Sequence, residues 1–283
     1  MQQTIAGGAA FAGVALHSGG RVRVKLSPFD EDGGIVFRRA DLGGAEVAAR
    51  AENVADTRLA TTLQNGKAEM AMVEHLLSAL AALGVDNLLV EADGPELPVL
   101  DGSAEPWLLL LSSCGIRRQG RARRHLRVKK PVIAREGESE ASFSPNDGKA
   151  RYDISIDFAH PVVRRSGGSL HYVLRAEDYE REIGRARTFC YVRDVELMRR
   201  NKKALGGSLD NAVVYDDRGV LNEGGLRYAD EFVRHKMLDA IGDCYIHSGL
   251  ILADYRARRP GHGINNKLIR TLLADKEAWE WSN

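Results

Sequence analysis

The sequence predicts an α+β protein made of two similar two-layer α/β sandwich domains whose helices pack face to face. Three observations predict it. Each half of the 283-residue chain runs short strands, then a helix with a histidine in its first turns, then another strand. The segments His75-Leu-Leu-Ser-Ala-Leu-Ala-Ala-Leu-Gly and His235-Lys-Met-Leu-Asp-Ala-Ile-Gly are loosely alike, as an internal repeat would leave them. Between the halves lies Arg117-Arg-Gln-Gly-Arg-Ala-Arg-Arg-His125, basic and poor in large apolar side chains, which reads as solvated linker rather than a nucleic-acid patch. The expected domains are residues 1–120 and 126–283, and 283 residues suffice for two moderate cores.

The elements follow in order. The glycine-rich opening from Gly7 to Gly20 reads as turn, since it lacks the Lys-Ser/Thr ending of a phosphate loop. Arg21-Val-Arg-Val-Lys-Leu, Gly34-Ile-Val-Phe-Arg and Ala45-Glu-Val-Ala-Ala alternate as strands with one buried face. A helix over about 71–83 carries Val73, Leu76, Leu77, Leu80 and Leu83 on its apolar side, with Gly84 placed to end it. Asn87-Leu-Leu-Val-Glu-Ala reads as a strand, and a second helix falls near 104–113. In the second half, strands are expected at about 126–134, 151–159 and 169–174. A helix near 229–247 then leads into the strand Leu250-Ile-Leu-Ala-Asp-Tyr, and a closing helix is expected near 265–276. The second half also carries extra material at about 185–225, punctuated by Gly206-Gly and Gly224-Gly, which suits a substrate-binding insertion.

Composition mostly excludes. The 40 basic and 39 acidic residues nearly cancel, so no nucleic-acid polyanion is announced as partner. No apolar run approaches the roughly 20 residues of a membrane span. The start Met1-Gln-Gln-Thr-Ile-Ala-Gly-Gly has neither the charge nor the apolar core of a signal peptide. Three scattered cysteines, Cys114, Cys190 and Cys244, make no disulfide framework. A reduced, cytoplasmic setting is expected.

The chemistry concentrates in Asp230-Glu-Phe-Val-Arg-His-Lys-Met-Leu-Asp-Ala-Ile-Gly-Asp243. At about 3.6 residues per turn, His235, Asp239 and Asp243 share one helix face, and an imidazole and a carboxylate one turn apart can hold one small cation. The competing reading is a surface hydrogen bond on the polar face of an amphipathic helix, with Lys236 beside it. His75 is a second candidate ligand. Its neighbour Glu74 projects about 100° away, so one side chain can bind metal while the other addresses a water. His262 and Asp243 could form a unit in which the carboxylate orients the imidazole and raises its pKa. His17, His125, His160, His171 and His247 have no comparable neighbours. The pattern supports a metallohydrolase beside that competing reading, and it names no substrate. A zinc peptidase would usually show His-Glu-x-x-His, which this chain lacks; a non-catalytic two-domain binder would have no need of Glu74 beside His75.

Several stretches resemble one family: Gly13-Val-Ala-Leu-His-Ser-Gly, Val73-Glu-His-Leu, Asp101-Gly-Ser-Ala, Arg185-Ala-Arg-Thr-Phe, Leu205-Gly-Gly-Ser, Val220-Leu-Asn-Glu, Phe232-Val-Arg-His-Lys-Met-Leu-Asp-Ala-Ile-Gly-Asp and Gly261-His-Gly-Ile-Asn-Asn-Lys. In order, they are similar to the UDP-3-O-acyl-N-acetylglucosamine deacetylases of lipid A synthesis. The resemblance implies a single catalytic Zn²⁺ on His75, His235 and Asp239, and Glu74 as general base. It implies His262 as general acid or oxyanion-stabilising imidazole with Asp243 orienting it, and Lys236 and Thr188 at the reacting amide. Phe189 falls where the family packs an aromatic on the glucosamine ring, and Asp157-Phe158 where the uracil stacks. Leu59, Tyr191, Val192, Val195 and Val214 fall along an apolar passage for the 3-O-acyl chain, and Arg259 is a candidate for the diphosphate. The implied partner is that small-molecule substrate, acted on by a monomer. Cys190 replaces a glycine common in the family, and the loop before Glu74 is one residue shorter. The chain also stops at Asn283, where members of the family often continue.

Overall fold

The computed structural model describes residues 1–282. Two main sheets carry the α+β architecture. The first runs in the order Ala9–Val14, Arg21–Pro28, Leu88–Ala92, Ile35–Arg39, Ala45–Ala48, antiparallel except where Leu88–Ala92 lies parallel to Ile35–Arg39. Alternation decides which face is covered: Val22, Val24 and Leu26 turn inward while Arg21, Arg23 and Lys25 face solvent. The second sheet is organised around Ile251–Arg258. That strand pairs antiparallel with Ser139–Ser144 and parallel with both Ala150–Ser155 and His125–Val128.

Seven α-helices occur among the described residues: α1 Glu74–Leu83, α2 Glu105–Ser113, α3 Pro161–Arg165, α4 Ala176–Tyr179, α5 Val192–Arg200, α6 Glu231–Cys244 and α7 His262–Ala274. None is long and apolar enough to cross a membrane. Helices α1 and α6 pack against each other at the centre, and every residue of α1 except Leu83 is buried. Their closeness depends on one glycine: a Cβ on Gly242 would stand 2.0 Å from the backbone oxygen of Glu74. Ser78 adds a polar tie, donating to the Leu238 carbonyl at 2.8 Å. The close approach sets the first turn of α1 beside the C-terminal half of α6, so the two histidine-bearing helices meet.

Several boundaries differ from expectation for local reasons. Helix α1 begins at Glu74, not near 71, because Ala71 pairs with Glu96 and Met72 has φ +62°, which no right-handed helix allows. The strand expected over 126–134 splits into His125–Val128 and Val132–Glu136 around Lys129-Lys-Pro131, where proline lacks the donor to continue a ladder. The closing helix starts at His262, three residues early, directly after the extended Gly261. The glycine-rich opening is not all turn; Ala9–Val14 is an edge strand. The basic linker likewise contributes to a strand, Ile116–Arg118, paired antiparallel with Gln3–Ile5. Over 185–225, Phe189–Tyr191 pairs parallel with Val213–Tyr215, and α5 lies between them in the chain.

Candidate metal centre and catalytic site

His235 and Asp239 stand one turn apart on α6, and α1 brings His75 to them. All three are buried. The surface-hydrogen-bond reading of His235 and Asp239 therefore fails: α6 has α1 on one side and α7 on another, and its middle has no solvated face there. Asp239 Oδ1 lies 3.3 Å from His235 Nε2 and 3.8 Å from His75 Nε2, and the three ligand atoms lie within 4.8 Å of one another. Donors held at 2.0–2.2 Å around a tetrahedral ion stand roughly 3.3 Å apart, so the set suits one small cation.

The chemistry of the donors agrees. Asp239 Oδ1 is buried without a hydrogen-bond partner, a state that a cation would satisfy. Its other oxygen, Oδ2, accepts from Lys236 Nζ at 2.6 Å. His235 Nδ1 lies 3.0 Å from the Ala186 carbonyl, to which it can only donate, leaving Nε2 as the free lone pair. Burial, and next the His235 imidazole, push His75 down toward its neutral form. Burial also lowers His235, while Asp239 is held ionised against burial by His235 and then Lys236. Neutral imidazoles and an ionised carboxylate are the forms that bind a metal. The residues fit the group.

Beside this triad lies a second buried carboxylate–imidazole pair. Glu74, 2% exposed, has Oε1 at 3.9 Å from His262 Nε2. Burial raises the Glu74 carboxyl to about 7, with His262 opposing and Asp239 and Asp243 adding to the rise. For His262 burial opposes the charged ring, yet the Asp243 carboxylate, and then Glu74, outweigh it and lift the pKa to about 9. Asp243 Oδ2 accepts from His262 Nδ1 at 2.9 Å and from Asn265 Nδ2 at 2.8 Å. Asn265 is itself fixed by Tyr255, whose hydroxyl donates to its Oδ1 at 2.6 Å.

An aromatic file leads away from the centre. The Phe189 ring is 6.1 Å from His235 and 5.5 Å, edge to face, from Phe158, and Lys236 Nζ stands 5.8 Å from it. Thr188, half-buried, is anchored through its backbone, donating to Gly102 O at 2.8 Å and accepting from Val213 N at 2.7 Å. Asp157 is held by Arg259 Nη2 at 2.7 Å, and Arg259 also meets Glu138, so this cation already has two carboxylate partners. Tyr191 packs on Tyr215 and donates to Asp217 at 2.6 Å. Cys190 pairs in register with Val214, while Val192 and Val195 sit half-buried on α5. Leu59 is 49% exposed.

Sequence reasoning missed Thr61 and the buried pair Arg187–Glu231, which closes at 2.8 Å at the start of α6. It also left Asn265 without a role, although its place one turn after His262 was a usable signal.

A buried two-histidine, one-aspartate cluster with a buried carboxylate beside it is the kind of site that a metal-dependent hydrolase uses. The profile of the UDP-3-O-acyl N-acetylglycosamine deacetylase family matches residues 2–274. The chain belongs to that family. It is 49% identical over 281 residues to the UDP-3-O-acyl-N-acetylglucosamine deacetylase of Xanthomonas campestris pv. campestris strain B100, covering 99% of this chain and 92% of that protein. The enzymes of the same name from Thioalkalivibrio sulfidiphilus and Xanthomonas euvesicatoria pv. vesicatoria are 46% and 48% identical, with the same coverage of both chains.

Proposed function

We propose that the protein removes acetate from the 2-acetamido group of UDP-3-O-acyl-N-acetylglucosamine, in lipid A synthesis, with one Zn²⁺ per chain. The observation that carries this reading is the buried Glu74–His262 pair beside the His75–His235–Asp239 cluster, in a chain of this family.

Held by His75, His235 and Asp239, zinc would supply a water of pKa about 7 and a Lewis acid for the amide oxygen. Glu74, with Oε1 free, takes a proton from the attacking water; at about 7 it is a stronger base than an ordinary carboxylate. The water oxygen bonds to the amide carbon. Thr188, Lys236 and the His262 imidazolium serve the developing oxyanion, where each lost donor typically costs about 3–4 kcal/mol. The carbon–nitrogen bond then breaks. His262, still protonated at neutral pH, gives its proton to the departing amine, and Asp243 keeps the ring oriented.

In this reading Phe189 packs on the glucosamine ring and Asp157 and Phe158 hold the uracil. Leu59, Tyr191, Val192, Val195 and Val214 guide the 3-O-acyl chain, much of it from the 185–225 insertion. Residues 1–120 and 126–283 act as two domains, one bringing Glu74 and His75, the other His235, Asp239 and His262. The near-balance of 40 basic and 39 acidic residues supports a protein without a nucleic-acid partner, and we take it to be a cytoplasmic monomer.

The experiment is a metal assay followed by acetate release from the acylated sugar nucleotide. Stoichiometric acetate and free amine are expected; a fully zinc-loaded protein that binds the substrate and releases none would be a binder, not this enzyme. The rate should be bell-shaped in pH. It rises as Glu74 ionises near 7 and falls as His262 loses its proton near 9, the limbs belonging to the coupled pair. Asp243→Asn removes the negative charge that favours the imidazolium, so the falling limb should move to lower pH. An unmoved limb in a folded variant contradicts the assignment.

A further inference from the structure

We infer that Thr61 is a positioning residue that assigns each carboxylate of the acid–base pair one held oxygen and one working oxygen, an inference resting on the deacetylase reading above. Thr61 is 3% exposed and lies just ahead of the strand Thr62–Asn65. Its backbone N–H donates to Glu74 Oε2 at 3.0 Å, and its hydroxyl donates to Asp243 Oδ1 at 2.6 Å. One residue thus touches both the base and the carboxylate behind the acid.

The consequence is geometric. With Oε2 held, Glu74 presents Oε1, the oxygen 3.9 Å from His262 Nε2. With Oδ1 held, Asp243 presents Oδ2 to His262 Nδ1. The other donors to Asp243, His262 and Asn265, both reach Oδ2, so Thr61 alone serves Oδ1 among the described residues. Without the hydroxyl, a buried carboxylate oxygen loses its donor, and the group gains a reason to rotate and share the donors of His262 and Asn265. The imidazole would then lose its fixed direction toward the reacting nitrogen. Met72 reinforces the arrangement: its φ of +62° turns the chain so that the Val73 N–H reaches the Thr61 carbonyl at 3.5 Å, directly before Glu74.

Side-chain substitution leaves the backbone bond to Glu74 in place, so it isolates the hydroxyl. In zinc-loaded protein, Thr61→Val should lower kcat about 10- to 100-fold, the worth of one hydrogen bond to a charged group, and leave KM within about twofold. Thr61→Ser should restore kcat to within about threefold of the parent, because it returns the donor. If Thr61→Val does not fold, Thr61→Ala carries the same expectation. In a His262→Ala background the Thr61→Val effect should all but vanish, since the hydroxyl acts through that ring. Loss of the same size in both backgrounds, a loss confined to KM, or equal damage from Thr61→Ser would overturn the inference. A second readout needs no turnover: the His262 Nδ1–H proton resonance should shift in Thr61→Val and hold in Thr61→Ser. A shift in Thr61→Val, alongside a zinc-loaded parent that releases no acetate, would sink the deacetylase reading and leave the positioning role standing. An unchanged resonance would sink the positioning role.

Discussion

Glu74→Gln should reduce kcat by about 10²- to 10⁴-fold while metal stays near one ion per chain. The amide keeps the size of the side chain and an oxygen that can still accept from the Thr61 N–H, so packing between α1 and α6 should survive. What it lacks is a site of useful basicity. Because Glu74 is not one of the three clustered ligand residues and its Oε1 lies toward His262, its loss should spare the metal. Elemental analysis beside steady-state kinetics checks this. Loss of metal in the Gln variant, with retention in ligand variants, would reverse the division of roles.

His235→Ala and Asp239→Ala should give the opposite result, losing metal first and activity with it. Partners one shell out from a metal typically contribute about 10–100-fold in affinity, so loss of a direct ligand should exceed that. Asp239→Ala carries a second penalty. The part-buried Lys236 ammonium would lose its carboxylate partner, and a charge left unpaired away from water is destabilising. Asp239→Ala should therefore melt lower than His235→Ala in metal-free buffer. Equal melting temperatures would show that Lys236 finds another partner.

That His235 and Asp239 share one face of α6 was legible from spacing, since a turn of helix sets one over the other whatever surrounds them. What spacing could not supply was the surroundings. Lys236 suggested a wet helix face, but α6 is packed on by α1 and α7, and the ammonium is drawn in by Asp239. The meeting of His75 with α6 rests on Gly242, whose missing side chain is visible in sequence only as a glycine in a helix. The small meander of Val54–Asp56, Thr62–Asn65 and Ala68–Met70 went unread because three or four residues are too few to display alternation. Thr61 sits at the edge of that meander, and its two contacts span 13 and 182 residues of chain. Local pattern carries no signal for such a pairing. His262 was legible as a catalytic candidate, but its place in the first turn of α7 was not, since Gly261 reads equally well as loop.

The central claim is tested most directly by comparing kcat/KM for acetate release from UDP-3-O-acyl-N-acetylglucosamine and from UDP-N-acetylglucosamine. Any metal amidase needs an activated water, but only this reading needs an apolar passage beside the sugar. Each buried CH₂ contributes about 0.8 kcal/mol, so removing the acyl chain should lower kcat/KM by at least about 10³-fold. A charged residue at Val195 or Val214 should shrink that ratio by slowing only the acylated substrate. Equal efficiency on the two sugar nucleotides would contradict the account, even with zinc bound and Glu74 behaving as a base.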